Sequence, residues 1–164
     1  MVTSDLLDPA IAGSVRVLVE SEVAGERMFA TAERHARVAA DRRLWEALHA
    51  LEVQTRAAVF HQLGDDAARF GVSERIARAA GNAGGSGLAL LPRPWQMRSL
   101  VIGTKAFVPT FRKLDDHFAA GPRSAFFSYV LAHELAIAEA GRRALAHDPD
   151  PVAPVAALLG NVPR

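Results

Sequence analysis

Residues 44–63 read LWEALHALEVQTRAAVFHQL, and this stretch decides the fold class. Its apolar side chains recur at intervals of three and four residues, which is the spacing of one face of an α-helix. A strand would place them at every second position. The residues on this face are Leu44, Trp45, Leu48, Leu51, Thr55, Val59 and Leu63. The stretch therefore predicts an amphipathic helix that buries this face against other helices.

The same spacing continues on both sides of this stretch, from Ile11 onward, while β-branched residues are sparse. We therefore expect an all-α protein. The chain has 164 residues and a mass of 17.6 kDa. A chain of this size buries roughly 70% of the surface that its unfolded form exposes, so one core is sufficient. Residues 1–164 are predicted to form a single domain.

Six helical segments are predicted from the apolar spacing and from the positions of glycine and proline. They cover residues 14–36, 41–70, 73–80, 94–119, 124–147 and 154–159. Ser14 is the expected N-cap of the first segment, Gly71 the expected end of the second, and Pro109 an expected kink in the third long one. The four long segments predict an antiparallel four-helix bundle, followed by a short C-terminal helix.

Residues 81–93 are rich in glycine and include Pro92, and Pro94 follows directly. Glycine resists helix formation and proline blocks sheet pairing, so we expect an exposed connection without regular structure here. This connection would form a long crossover between two helical hairpins.

Composition excludes several kinds of partner. Nineteen basic and eighteen acidic side chains give a net charge of +1 without a block of like charge, so nucleic acid is not an expected partner. No apolar run reaches the ~20 residues that cross a bilayer. The first ten residues contain Asp5 and Asp8 and lack the features of a secretory signal. This composition predicts a cytoplasmic protein. Cysteine is absent, so carboxylate and imidazole must hold any metal.

When successive residues are placed about 100° apart around each predicted helix, three glutamates lie among the apolar residues of the buried faces. They are Glu22, Glu52 and Glu134. Burying an unpaired carboxylate costs several kcal/mol or forces it to take up a proton. We expect the three to approach one another, so that a cation, a buried arginine or lysine, or shared protons must relieve their repulsion. Each glutamate taken singly also fits a pair with a neighbour such as Arg56 or Arg142.

Around these glutamates the chain resembles the ferritin-like superfamily, in which glutamates of the bundle helices bind a pair of iron or manganese ions. Residues 22–29, EVAGERMF, are similar to the first metal-binding helix of rubrerythrin-like proteins. Leu51 and Glu52 look like part of the second such helix, and residues 128–134, SYVLAHE, resemble the fourth.

The resemblance implies a cytoplasmic protein that binds iron or manganese and carries out redox chemistry, as an oxidoreductase would. The metal ligands that it implies are Glu22, Glu52 and Glu134, with Glu26 as a supplementary ligand. The chain departs from the pattern at the histidines that usually follow two of the glutamates, because Thr55 and Ile137 occupy those positions. The third long helix also lacks its glutamate.

Two histidines outside this pattern have simpler interpretations. Glu46 and His49 have the spacing of metal ligands, but they are predicted to form a solvated surface pair. His133 directly precedes Glu134 and should point about 100° away from it. We therefore interpret His133 as a helix contact, while the sequence leaves open whether it, Glu46 or His49 joins a metal site.

Two functions from different classes follow from these patterns. The first is a ferritin-like metalloprotein whose partner is an iron or manganese ion held in the bundle core. The second is a non-catalytic helical scaffold with a vestigial metal site, which acts in protein association or binds an apolar ligand. The sequence leaves a homo-oligomer open in both cases.

Overall fold

The computed structural model describes residues 5–64, 66, 70 and 73–163. These residues are almost entirely helical, and none of them belongs to a strand. The all-α class predicted from the sequence is therefore confirmed. The helices are α1 (Ala12–His35), α2 (Ala39–Leu63), α3 (Glu74–Leu90), α4 (Arg93–Phe118), α5 (Ser124–Leu145) and α6 (Ala153–Ala156), and a 3-10 turn, Asp5–Leu7, precedes α1.

Several predicted helix ends differ from the structure, among them the start of α1 and the end of α2. Helix α1 begins before Ser14, which therefore lies inside the helix and is not its cap. Helix α2 ends at Leu63, earlier than predicted, because Gly64 follows with a φ of 50° that ends the helix. The predicted end at Gly71 lies outside the described residues. Helix α4 continues across Pro109 without a break.

The prediction of an unstructured connection over residues 81–93 is wrong, because helix α3 extends through its glycines to Leu90. Ser73 caps the start of α3, where its hydroxyl accepts a hydrogen bond of 3.4 Å from the backbone N–H of Ile76. Helix α3 packs along α1. The crossover between the two hairpins is thus itself largely helical.

Two of the α3 glycines allow this close packing. A methyl group on Gly81 would overlap the carbonyl oxygen of Ala24 in α1. One on Gly85 would lie 2.5 Å from the carbonyl oxygen of Met28. Contact between the two helix backbones therefore compensates for the low helix propensity of glycine. Local propensity alone does not reveal this contact.

We expect Gly81→Ala to destabilise the protein by roughly 1–3 kcal/mol, because the new methyl group meets the backbone of α1. Gly87→Ala is the matched control on the same helix, since a methyl group there has no heavy atom within 4 Å. The control should stabilise by up to about 1 kcal/mol through helix propensity. Urea unfolding of both variants measures the difference, and equal free energies of unfolding would contradict the packing of α3 on α1.

The four long helices contact one another in a cycle in which α1 lies next to α2, α2 next to α5, α5 next to α4, and α4 next to α1. Helix α3 lies on α1 outside this cycle, and α6 contacts α2 and α5. No described helix is both long and apolar enough to span a membrane.

The hydrophobic core is divided into two clusters with a polar layer between them. The first cluster includes Val15 of α1, Val59 of α2, Leu114 of α4 and Val130 of α5. The second includes Phe29 of α1, Leu48 of α2, Leu100 of α4 and Ile137 of α5. Helices α1 and α5 pass from the first cluster to the second, and α2 and α4 pass in the reverse direction. Contacting neighbours in the cycle are therefore antiparallel.

Candidate metal centre

The polar layer between the two clusters contains the three predicted glutamates and one histidine. Glu22 comes from α1, Glu52 from α2, and His133 and Glu134 from consecutive positions of α5. The exposed fraction is 1% for Glu22, 5% for Glu52, 6% for Glu134 and 0% for His133. The predicted burial of the three glutamates is therefore confirmed, while their role as ligands stays a prediction.

His133 lies between the carboxyl groups of Glu22 and Glu52. Its Nδ1 atom is 3.8 Å from Oε1 of Glu22, and its Nε2 atom is 3.6 Å from Oε1 of Glu52. One donor atom from each of these three residues can be chosen so that all lie within 4.8 Å of one another. Bonds of about 2.0–2.2 Å to one ion would place neighbouring ligand atoms about 3–4 Å apart, so the three donor atoms lie close to the spacing that a common ion requires.

Unpaired polar atoms provide an independent test of this fit. Among the described residues, both ring nitrogens of His133 and Oε2 of Glu22 are buried without a hydrogen-bond partner. Such atoms are rare in folded proteins, because leaving one unpaired costs about 1–3 kcal/mol. A neutral imidazole offers one bare nitrogen to an ion and one N–H to a carboxylate. The arrangement therefore has the donors that a buried cation requires.

Gly25 provides the space in which the Glu52 carboxyl group lies. It follows Glu22 by one turn of α1, and a methyl group there would lie 2.7 Å from Oε2 and 2.8 Å from Oε1 of Glu52. Any other residue at this position would displace the carboxyl group. Because Gly25 has no side chain, the carboxyl group of Glu52 on α2 can lie close to that of Glu22 on α1.

Burial favours the uncharged form of every group in the layer. Desolvation raises the pKa of Glu22 and of Glu52 well above 4.5, and repulsion by the other carboxyl groups raises both further. Desolvation also raises the pKa of Glu134 to about 8 and lowers the pKa of His133 to about 3. His133 is therefore neutral at pH 7, and its contacts with the two carboxyl groups are not ion pairs.

Glu134 lies beside this group and not within it. The set of residues whose donor atoms come together contains Glu22, Glu52 and His133. Glu134 instead lines a cavity between α1, α3, α4 and α5, to which Glu22 and Glu52 also contribute. Its charge still raises the pKa of Glu22 and of Glu52, so the three carboxyl groups are close enough to interact.

Glu26, predicted as a supplementary ligand, contacts two arginines. Its Oε2 atom is 3.3 Å from the guanidinium of Arg56, and its Oε1 atom is 3.8 Å from that of Arg27. Both carboxylate oxygens thus face a positive charge. Arg56, which the sequence suggested as a partner for one of the three core glutamates, therefore pairs with Glu26 instead.

Residues that are neither carboxylates nor histidines occupy the positions where the superfamily pattern has metal ligands. Thr55 is fully buried, and its hydroxyl lies 2.9 Å from the hydroxyl of Tyr129. Ile137 packs in the second hydrophobic cluster. On α4 the layer is reached by Thr104, whose hydroxyl donates to the carbonyl oxygen of Leu100 at 2.7 Å. These positions offer no further carboxylate or imidazole.

His49 and Glu46 do not form a pair with each other. Nδ1 of His49 lies 2.9 Å from Oε2 of Glu33, while Glu46 is exposed. The prediction that His49 forms a surface pair therefore has the wrong partner.

His133 is the residue of the group that sequence reasoning missed. The 100° that separates it from Glu134 excludes it from the core only if α5 buries a single face. Helix α5 is buried on several faces, since Tyr129, Val130, Leu131, His133, Glu134 and Ala136 are all buried. The nearly continuous apolar composition of this helix was the available signal.

Comparison of the chain with protein-family models, with curated proteins and with solved structures finds no match.

Proposed function

We propose that the protein is a divergent ferritin-like four-helix bundle that binds a divalent metal ion through Glu22, Glu52 and His133. The observation that carries the proposal is a buried group of two carboxyls and one imidazole with unpaired donor atoms. Glu134 and Glu26 lie close enough to influence the charge of this group. Burial keeps these carboxyl groups protonated, because they would repel one another if they ionised. A bound cation would offset this repulsion and allow them to lose their protons.

The directions of the helices support the ferritin-like part of the proposal. Helices α1 and α5 run one way and α2 and α4 the other, with the helical crossover α3 between the hairpins. A bundle with one long crossover has this up-down-down-up order. Each hairpin contributes to the polar layer, so the ligands come from opposite sides of the core.

The donor set is compatible with iron or manganese, which are the metals that the resemblance to the ferritin-like superfamily implies. Carboxylate oxygens suit hard ions such as Mn²⁺, imidazole suits Fe²⁺ and Zn²⁺, and no thiolate is available. When bound, iron or manganese would supply redox chemistry with oxygen or peroxide as the oxidant. The chain itself supplies the ligands and releases protons from Glu22 and Glu52 on binding.

A titration of metal-free protein with Mn²⁺ under nitrogen tests the proposal, with the melting temperature as a second measurement. We expect one ion per chain. At a free metal concentration of about 100 Kd, mass action stabilises by about 2.7 kcal/mol, which raises the melting temperature of a domain of this size by roughly 5–10 °C. Neither binding nor a shift with Mn²⁺ or Fe²⁺ would leave the metal-free scaffold as the better description.

Gly25→Ala separates the site from the stability of the fold. The new methyl group should push the flexible Glu52 carboxyl group out of the layer and weaken Mn²⁺ binding roughly 10-fold. The metal-free protein should be no less stable, because alanine has the higher helix propensity. Gly13→Ala is the matched control on α1, since a methyl group there has no heavy atom within 4 Å. Equal metal affinities for the two variants would contradict the position of Glu52.

A further inference from the structure

A cavity of about 470 Å³ lies between α1, α3, α4 and α5. Its volume is within the range of about 300–1,000 Å³ that is typical of small-molecule sites. Most of its surface is apolar and comes from residues such as Met28, Phe29, Leu88, Leu100, Phe107 and Ile137. The cavity therefore resembles a ligand site more than a packing defect.

The inner part of this cavity reaches the polar layer. Glu22, Glu52 and Glu134 all contribute to its lining, and Oε2 of Glu22 is buried without a hydrogen-bond partner. A molecule in the cavity would thus contact the carboxyl groups directly. His133 does not line the cavity and lies behind them.

The outer part opens between α3 and α4. Gly84 and Gly87 of α3 and Gly103 of α4 line the cavity and are nevertheless exposed. A methyl group on Gly87 or Gly103 would have no heavy atom within 4 Å, so open space adjoins both positions. The lack of side chains at these glycines keeps the entrance wide.

The charge of the lining selects the kind of molecule. Acidic residues are present, but no lysine, arginine or histidine lines the cavity. An anion would lose its hydration and face carboxyl groups without a compensating positive charge. The hydroxyls of Ser21 and Thr104 already donate to carbonyl oxygens of their own helices. The walls therefore offer few polar groups to a ligand outside the carboxyl end.

We propose that this cavity binds one largely apolar organic molecule without negative charge, which enters between α3 and α4 and places its inner end against Glu22, Glu52 and Glu134. Binding requires no metal. Where the proposed metal centre is also present, this molecule is its substrate, and that assignment alone rests on the proposed function.

The test uses two fluorescent probes that differ by one charge, added to metal-free protein. N-phenyl-1-naphthylamine is uncharged, and 1-anilinonaphthalene-8-sulfonate is the same ring system with a sulfonate. We expect saturable binding of the uncharged probe at one site per chain and at least 10-fold weaker binding of the sulfonate. Equal binding of both probes, or no saturable binding of the uncharged one, would overturn the proposal.

Gly103→Leu locates the binding site. Its side chain enters open space at the cavity entrance and should weaken binding of the uncharged probe at least 10-fold. Ala106→Leu is the control, because Ala106 is an exposed residue of the same helix that does not line the cavity. If Gly103→Leu does not fold by circular dichroism, Gly87→Leu blocks the entrance from α3, with Ser86→Leu as its control. Unchanged affinity in a folded entrance variant would place the probe elsewhere and refute the proposal.

The two proposals fail separately. Loss of Mn²⁺ binding with intact probe binding would remove the metal centre and leave the cavity proposal standing. The opposite result would leave a metal centre without this ligand.

Discussion

Replacing Glu52 by glutamine is expected to weaken Mn²⁺ binding at least about 100-fold, because loss of the groups that only orient metal ligands already costs about 10- to 100-fold. A neutral amide is a poor substitute for a carboxylate on a hard cation. Glu52 is buried and lies 3.6 Å from His133, so the variant loses a carboxylate from within the group, whereas Glu134 lies outside the set of donor atoms that come together. Isothermal titration of the metal-free variant measures the effect.

Glu46→Gln is the matched control on α2, because Glu46 is exposed and outside the group. Its affinity for Mn²⁺ should equal that of the wild type. Without metal, Glu52→Gln should be as stable as the wild type or more stable, since it removes one of three repelling carboxyl groups. Strong destabilisation of the metal-free variant would mean that the Glu52 carboxylate stabilises the fold by itself.

The second large effect is a loss of stability of the metal-free protein as the pH rises. The pKa of Glu134 is about 8 in the folded protein and near 4.3 in an unfolded chain. Between these values the folded state binds more protons than the unfolded state, so the free energy of unfolding falls as the pH rises. Each carboxyl group that behaves in this way contributes about 1.4 kcal/mol per pH unit.

The burial of His133 makes the free energy of unfolding fall as the pH decreases, which is opposite to the effect of the carboxyl groups. Its pKa is about 3 in the folded protein against about 6.5 when unfolded, so its contribution to stability is lost as the pH falls below 6.5. At pH 6.5 half of the unfolded histidine is still protonated, and only above about pH 7.5 is it largely neutral in both states. Urea unfolding between pH 7.5 and 8.5 therefore reports mainly the effect of the carboxyl groups, which we expect to amount to about 1–3 kcal/mol.

Glu134→Gln should make this slope shallower by about 1.4 kcal/mol per pH unit, and Glu46→Gln should leave it unchanged. Saturating Mn²⁺ should reduce the loss in the wild type, because the ion binds the deprotonated carboxylates of Glu22 and Glu52 and its charge favours ionisation of the neighbouring Glu134. Superimposable profiles for the wild type and Glu134→Gln would show that Glu134 is solvated in the folded protein.

The helices and the buried glutamates were predictable because both leave a periodic signal. A carboxylate at the centre of an apolar face, as at Glu22 and Glu52, is visible from the 3.6-residue repeat alone. The all-α class and the boundaries of α4 and α5 follow from the same repeat and from Pro94 and Gly121.

The remaining features depend on contacts between helices. The extension of α3 beyond residue 80 was missed because the close approach of Gly81 and Gly85 to the α1 backbone outweighs their poor helix propensity. His133 was missed because α5 is buried on more than one face, so angular distance from Glu134 did not exclude it. The role of Gly25 could not be predicted, because it depends on the position of the Glu52 carboxyl group, which lies against Gly25 in the folded protein.

The most direct measurement is anomalous X-ray scattering at the manganese absorption edge from crystals grown with Mn²⁺. Binding through Glu22, Glu52 and His133 predicts one strong anomalous peak within bonding distance of all three side chains, at about 2.0–2.3 Å. Crystals in which these three side chains are ordered, but whose only peaks lie at surface carboxylates, would contradict a metal centre in the core of this protein.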